Sequence, residues 1–357
     1  MLNCGVFSMV ISKRKEERNH KVLAHIVRIY VSTGIPVSSK SVAADMGGSI
    51  SSATIRNIMA ELEETGDIVQ PHTSAGRVPT DRGYRHYVNL LNKELHMRKR
   101  EARRLSGEYS ERIRSIKDVI ERTSALISRE LHHASVVMWP DAGNFYLKHL
   151  ELIKVKSETV LAVLVTMTNA VRNYMIQLDQ DLEKTDLQRI ANYINLNYED
   201  EKVSDIADYL KNSIEDSENM ESMNITDHAA RIIDHFINKG IESEISWEGV
   251  SDLSGESGYR DTDTIGRILQ ILSNRKAIAH LMREELPYRG IRTYIGEENK
   301  FTVLKRCSIV TSGYMLHGKA IGRIGVVGPT RMNYDSVLRT VSYLSNVVGM
   351  QLEALGQ

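Results

Sequence analysis

The residues whose types and spacing could do chemistry cluster between positions 51 and 77. Ile55, Ile58, Met59 and Leu62 recur at helical spacing, and Ser51-Ser52 makes a good cap just ahead of them. With that stripe turned inward, Ser52, Thr54, Arg56 and Asn57 are left among the outward positions of the first turns. Their chemistry suits nucleic acid: arginine reads guanine, asparagine reads adenine, and hydroxyls reach phosphates or base edges. Glu61, Glu63 and Glu64 fall toward the other end, where they would not repel a phosphate backbone. A loop follows in which His72, Thr73, Ser74 and Arg77 offer donors for phosphates or a minor groove. The same elements could serve protein binding alone, and the pattern by itself leaves that open.

Signals for catalysis are weaker. Gly313-Tyr314-Met315-Leu316-His317-Gly318-Lys319-Ala320 has GxxxxGK spacing but ends in alanine, where a nucleotide-binding loop needs Ser or Thr for Mg²⁺. Ile321–Val327 then reads as a strand rather than the required helix, so a hairpin turn is predicted. Gly322, Gly325 and Gly328 predict a bulge or close packing rather than a dinucleotide site. His132-His133 has no ligand partner at helical or hairpin spacing, and no HExxH or GxSxG occurs. Cys4 and Cys307 stand at opposite ends, which excludes a disulfide framework and a CxxC-type zinc site. Glu297-Glu298 reads as a loop that caps or turns a sheet. The chain is expected to be no enzyme and to hold no metal or cofactor.

The elements that must position the candidate residues are legible around them. Val22, Ile26, Ile29 and Tyr30 mark a first helix, stopped by Thr33-Gly34. A short second helix runs through Val42, Ala43 and Met46 to Gly47-Gly48, and the third starts at Ser51-Ser52 and closes at Gly66. Asp67–Gln70 and Arg77-Val78 then read as two short strands, and Pro79-Thr80-Asp81 opens a helix burying Tyr84, Tyr87, Val88 and Leu91. Three helices and a two-stranded wing describe a winged helix-turn-helix.

A net charge of zero hides an asymmetry. Ser12 to Arg104 holds 17 lysines and arginines against 10 acidic residues, a balance of +7, whereas the rest carries 29 against 36, a balance of −7. A basic head on a mildly acidic body suits a polyanion-binding regulator, though a solvated helical face has the same composition. The chain of 357 residues should hold two or three domains. No apolar run approaches the roughly 18 residues of a membrane span, and no secretion signal is read at the start, so a cytoplasmic protein is expected. Met9 is a second candidate start.

Domain by domain, 1–11 reads as an unstructured extension, 12–95 as the head, and 96–134 as linker helices broken near Gly107. Strands at Leu147–Val155, Thr159–Thr166 and Val171–Gln177 precede helices at Leu187–Leu196 and Ile206–Ile214, an exposed loop at Glu215–Asn224 and a helix at Ala229–Ile237. A short strand at Glu244–Trp247 and a long helix at Thr264–Glu284 follow. Strands at Ile291–Ile295, Cys307–Thr311 and Ala320–Val327 then lead to a terminal helix at Tyr334–Leu355. The fold class is α+β: an antiparallel sheet domain in two parts, 135–197 and 256–357, around a helical insert at 198–255.

Three stretches carry a family resemblance. The first is Ser51-Ser52-Ala53-Thr54-Ile55-Arg56-Asn57 with Glu61-Leu62-Glu63; the second is Gln70–Asp81 with Gly83-Tyr84-Arg85. The third lies far downstream, in Ile295–Asn299 and Gly325–Tyr334. Together they resemble the heat-inducible transcription repressor HrcA family, from about Ser12 to the C-terminus. The resemblance implies a winged-helix head, a GAF-like domain and an inserted dimerisation domain. It also implies a homodimer that represses chaperone operons at an inverted-repeat operator in double-stranded DNA, with the GroEL chaperonin keeping the repressor active. A winged-helix repressor controlled by a small effector in the GAF-like domain is the alternative.

Overall fold

The computed structural model describes residues 3–73, 75–92, 99–107, 115–138, 146–166, 171–215, 220–239, 245–249, 275–300, 302–305, 307–316 and 318–355, with 95, 97, 109, 113 and 266 between them. The head opens with α1 (Asn3–Thr33), α2 (Ser39–Asp45) and α3 (Ser52–Glu64). The antiparallel ribbon β1 (Ile68–Val69) and β2 (Val78–Pro79) and helix α4 (Asp81–Leu91) complete it. Helix α1 corrects one expectation: the segment read as an unstructured extension is helical from Asn3. No proline occurs before Pro36 and Gly5 alone is a weak helix former there, so nothing stops the helix early. Val22, Leu23, Ile26 and Val27 of α1 meet Val42 of α2, Ile55 and Ile58 of α3, and Tyr84 and Val88 of α4 in one buried cluster.

α5 (Lys99–Gly107) and α6 (Ile116–Leu131) follow, with the predicted break after Gly107. Ser115 and Asp118 close a reciprocal capping box at the start of α6, and His132 ends it at φ 52°. Strand β3 (Ala134–Met138), which the sequence pattern did not reveal, leads into a separate unit.

That unit holds β4 (Leu147–Lys156), β5 (Thr159–Thr166), β6 (Val171–Gln177), α7 (Lys184–Tyr198), α8 (Val203–Glu215) and α9 (Met220–Lys239). Its strands pair only in the order β4-β5-β6. Leu150, Leu164 and Ile176 of the inner sheet face share a core with Ile190, Ile194, Ile206 and Ile232 of the helices. The division between cores therefore falls ahead of Tyr146, not at 198, and the three strands expected in the sheet domain belong to the insert. Backbone bonds from Leu147 to Glu201 and from Asp200 to Leu147 seal the unit. Helix α9 also begins at Met220, inside the expected loop, and 216–219 lie outside the described residues.

β7 (Ile245–Glu248), α10 (Arg275–Glu284), β8 (Ile291–Ile295), β9 (Cys307–Leu316), β10 (Lys319–Pro329) and α11 (Tyr334–Leu355) complete the chain. The helix expected at Thr264–Glu284 is described from Arg275 only; most of 264–274 lies outside the described residues. One antiparallel sheet runs in the order β7-β3-β10-β9-β8. Val137, Ile324, Val326 and Val310 face α6 and α11, while the alternating Val136, Met138, Val327 and Ile309 face Ile278 and Met282 of α10. Arg323 is fully buried on β10 and donates to the carbonyls of Glu285 (2.6 Å) and Tyr288 (2.8 Å) and to the Thr311 hydroxyl (3.0 Å). It satisfies backbone acceptors left at the end of α10. The Gly313–Lys319 stretch is the β9–β10 hairpin, Leu316 opposite Lys319, and the ladder shifts register between Ala320 and Gly322, as the glycines predicted.

Candidate nucleic-acid interface

The turn between α2 and α3 is made by Gly47 and Gly48, both in the left-handed region at φ 65° and 74°. Ser51 then caps α3, its hydroxyl accepting from the Thr54 backbone N–H at 3.1 Å and meeting the Thr54 hydroxyl at 2.9 Å. Ile55, Ile58, Met59 and Leu62 are buried, as the spacing required. Arg56 and Asn57 are exposed on the second turn, and Ser52 and Thr54 are half-buried ahead of them. The structure thus separates roles within the predicted set. Ser51 and Thr54 hold the helix start in shape, whereas Arg56 and Asn57 present polar groups to solvent.

The glutamates of α3 are partly neutralised from within the head. Glu61 accepts from Lys15 (2.9 Å) and Asn19 (3.0 Å), and these bonds hold its carboxyl below the usual range. Glu63 is gripped by Arg77, whose Nε and Nη2 approach its Oε2 at 2.9 and 2.8 Å. Arg77 was expected as a phosphate contact beside the loop. It is half-buried in an ion pair that ties the ribbon to α3, and its backbone exchanges two 2.8 Å hydrogen bonds with Val37.

The ribbon loop is closed by Gln70, which donates to the carbonyls of Thr73 (2.9 Å) and Ala75 (3.0 Å). His72 and Thr73 are exposed at its tip, and Ser74 lies outside the described residues. A cleft of about 320 Å³ opens between α2, α3 and the ribbon, bounded by Ser38, Ser39, Arg56, Ala60 and Arg77. Lys40, exposed one residue further along α2, was missed by the sequence reading. The signal was available, since a lysine follows the Ser38-Ser39 cap on the helix that precedes the Gly47-Gly48 turn. No group of three or more His, Cys, Asp and Glu able to hold a metal occurs among the described residues. Among them no helix is long and apolar enough to cross a membrane.

The model of the HrcA protein C-terminal domain matches residues 117–338, more than half of the chain. The chain belongs to the HrcA family. It is 30% identical over 343 residues to the heat-inducible transcription repressor HrcA of Moorella thermoacetica, covering 96% of this chain and 99% of that protein. The HrcA repressor of Carboxydothermus hydrogenoformans is 32% identical over 340 residues, covering 94% and 98%. A solved structure of a hypothetical protein aligns over 95% of this HrcA-family chain and 98% of its own, at 24% identity and a TM-score of 0.62. That likeness concerns the fold.

Proposed function

We propose that this chain is a heat-inducible transcription repressor acting in the cytoplasm, with a winged-helix head, a GAF-like sheet domain and an inserted dimerisation unit. It binds an inverted-repeat operator in double-stranded DNA as a homodimer and lowers transcription of chaperone genes. The observation that carries this reading is the exposed Arg56–Asn57 pair on the capped start of α3, beside a ribbon with an exposed polar tip. Its weight comes from the near full-length similarity to proteins named as heat-inducible repressors.

Support for the homodimer lies in the insert. Ile153, Leu161 and Met175 form one cross-strand row on its outer sheet face; Ile153 and Met175, with Val155 and Val171, are exposed apolar residues. A second copy laid on this face would remove it from water. The GroEL chaperonin enters through the family resemblance, as the factor that raises the active fraction. Ile278 and Met282 of α10 and the buried Arg323 fill the space between that helix and the sheet, which counts against a small effector held there.

Footprinting the purified full chain on the chaperonin promoter of its own genome tests the reading. Protection of an inverted repeat, with an active fraction that chaperonin increases, is expected. An unprotected promoter overturns repression of that operon, and a fully active protein indifferent to chaperonin overturns that partner.

A further inference from the structure

Parts of the second and third stretches that resemble the family, Asp81 with Gly83-Tyr84-Arg85 and Ile295–Asn299 with Gly325–Tyr334, lie far apart in the sequence, yet the fold brings them together. Arg85 on α4 donates from Nε to Glu298 Oε1 at 2.7 Å, pairs through Nη2 with Glu298 Oε2, and donates to the Thr293 carbonyl at 2.6 Å. Glu298 Oε2 also accepts the Ile295 N–H at 2.9 Å, so both carboxylate oxygens are engaged. Beside it, Asp81 accepts the Glu297 N–H at 3.1 Å. Gly296 sits there at φ 51°, where any side chain would collide with the Asp81 carboxylate. Tyr84 packs on Tyr334 with ring centroids 5.5 Å apart, and the Arg331 guanidinium lies 5.8 Å from the centre of the Tyr30 ring.

We propose that this seam is a positioning device for operator binding: Arg85, Asp81 and Glu298 fix the angle of the head on the sheet domain, and thereby the half-site spacing a dimer accepts. The inference rests on the dimeric operator reading above. Helix α4 is the part that transmits the constraint. On one side Gly83 lies so close to the Asp67 carbonyl that a side chain would not fit, which locks α4 to the ribbon. On the other side Asp81 and Arg85 bind the β8 end of the sheet. The head and the sheet domain also share one buried apolar cluster, in which Tyr84 meets Tyr334, and that cluster holds the two together. The directional bonds of Arg85, Asp81 and Glu298 set the angle, and without them two heads reach half-sites over a wider range of separations. With them, the heads of a dimer meet one face of DNA only at a set multiple of the helical repeat. The Arg85–Glu298 pair suits this role because a two-point arginine–carboxylate contact fixes geometry while partial exposure keeps its energy small. Its side chains are 26% and 35% exposed.

The test uses the full chain and duplexes in which the two half-sites are moved apart or together in single steps, up to about half a helical turn. The wild type should lose roughly tenfold or more in affinity at half a turn, since one head then faces away. Glu298→Gln and Arg85→Gln should each flatten that profile to within roughly threefold, while affinity for a duplex with one half-site is unchanged. Intact half-site binding shows that the head of each variant is folded. A variant profile as steep as the wild type overturns the proposal and leaves the operator reading standing. So does a loss of half-site binding equal to the loss on the full operator. A wild type that binds no inverted repeat at any spacing overturns the reading beneath the proposal, and the proposal with it.

Discussion

Replacing Arg77 by alanine separates two roles for a residue that the sequence marked as a phosphate contact. In the structure its Nε and Nη2 lie 2.9 and 2.8 Å from Glu63 Oε2. The two side chains are 23% and 34% exposed, so solvent screens the pair only in part. Exposed pairs are worth about 0–1 kcal/mol, and the doubled contact and partial burial put this one near the top of that range, at about 1 kcal/mol. Arg77→Ala should therefore lower stability by about that amount in urea unfolding. It also uncovers a carboxylate on α3, so it should weaken cognate and random DNA alike. The second arm is Glu63→Gln alone and combined with Arg77→Ala. If Arg77 acts by neutralising Glu63, the double variant should recover most of the DNA affinity, and the stability cycle should show a coupling of about 0.5–1 kcal/mol. The salt dependence of the double variant should match the wild type, because one charge of each sign has been removed. A direct phosphate contact predicts otherwise: stability unchanged, the salt slope reduced by about one counterion, and no rescue by Glu63→Gln. That outcome would refute the assignment of Arg77 to the ribbon–helix tie.

Three further outcomes are expected. Asn57→Ala should cost about 1–3 kcal/mol on the cognate operator and much less on scrambled duplex, because the Asn57 side chain is exposed near the start of α3 and makes no hydrogen bond among the described residues; an unchanged cognate-to-random ratio would remove α3 from base reading. Burial lowers the pKa of His133 to about 4 against about 6.5 unfolded, so its contribution is complete above about pH 6.5 and is lost as the pH falls toward 4, by about 2 kcal/mol at pH 5. His133→Gln should flatten the wild-type fall in unfolding free energy between pH 7 and 5, and an identical fall in both proteins would show that His133 does not carry it. Tyr84→Phe should leave the melting temperature level or raised, since its buried hydroxyl meets no hydrogen-bond partner among the described residues, whereas Tyr334→Phe should cost about 1–2 kcal/mol by stranding Ser308 and the Thr330 carbonyl.

The parts of this molecule legible in its sequence are those whose signals are local. The caps Ser38, Ser51 and Thr80 act within three residues of themselves, so the helices they start could be placed from spacing alone, whereas the Ser115 cap was not read from the charged run around it. β5, β6, β8 and α11 fall at the expected residues for the same reason. Which sheet a strand joins is another matter. β4 to β6 alternate as any half-buried strands do, and nothing local distinguishes the insert from the sheet domain until Leu150, Leu164 and Ile176 are seen against Ile190 and Ile206. Strand β3 was missed because Ala134–Met138 is buried at every position and so lacks the alternation that marks a strand.

The candidate interface divides along the same line. The outward position of Arg56 and Asn57 follows from the inward stripe on their own helix. The fate of Arg77 depends on Glu63, 14 residues away across a turn, and the seam joins Arg85 to Glu298, 213 residues away. An ion pair has no sequence period, so separation alone hides it. Asp81 to Arg85, Ile295–Asn299 and Gly325–Tyr334 carry the family resemblance as α3 does, yet they meet at the seam and not at α3. Their chemistry becomes intelligible only when they are on one surface: a left-handed glycine that admits an aspartate, and a carboxylate held by one guanidinium and one backbone N–H. The proposed repressor needs its head held at an angle as much as it needs the residues that would read, and in this fold those two needs fall on different elements, α4 with the β8 end of the sheet and the capped start of α3.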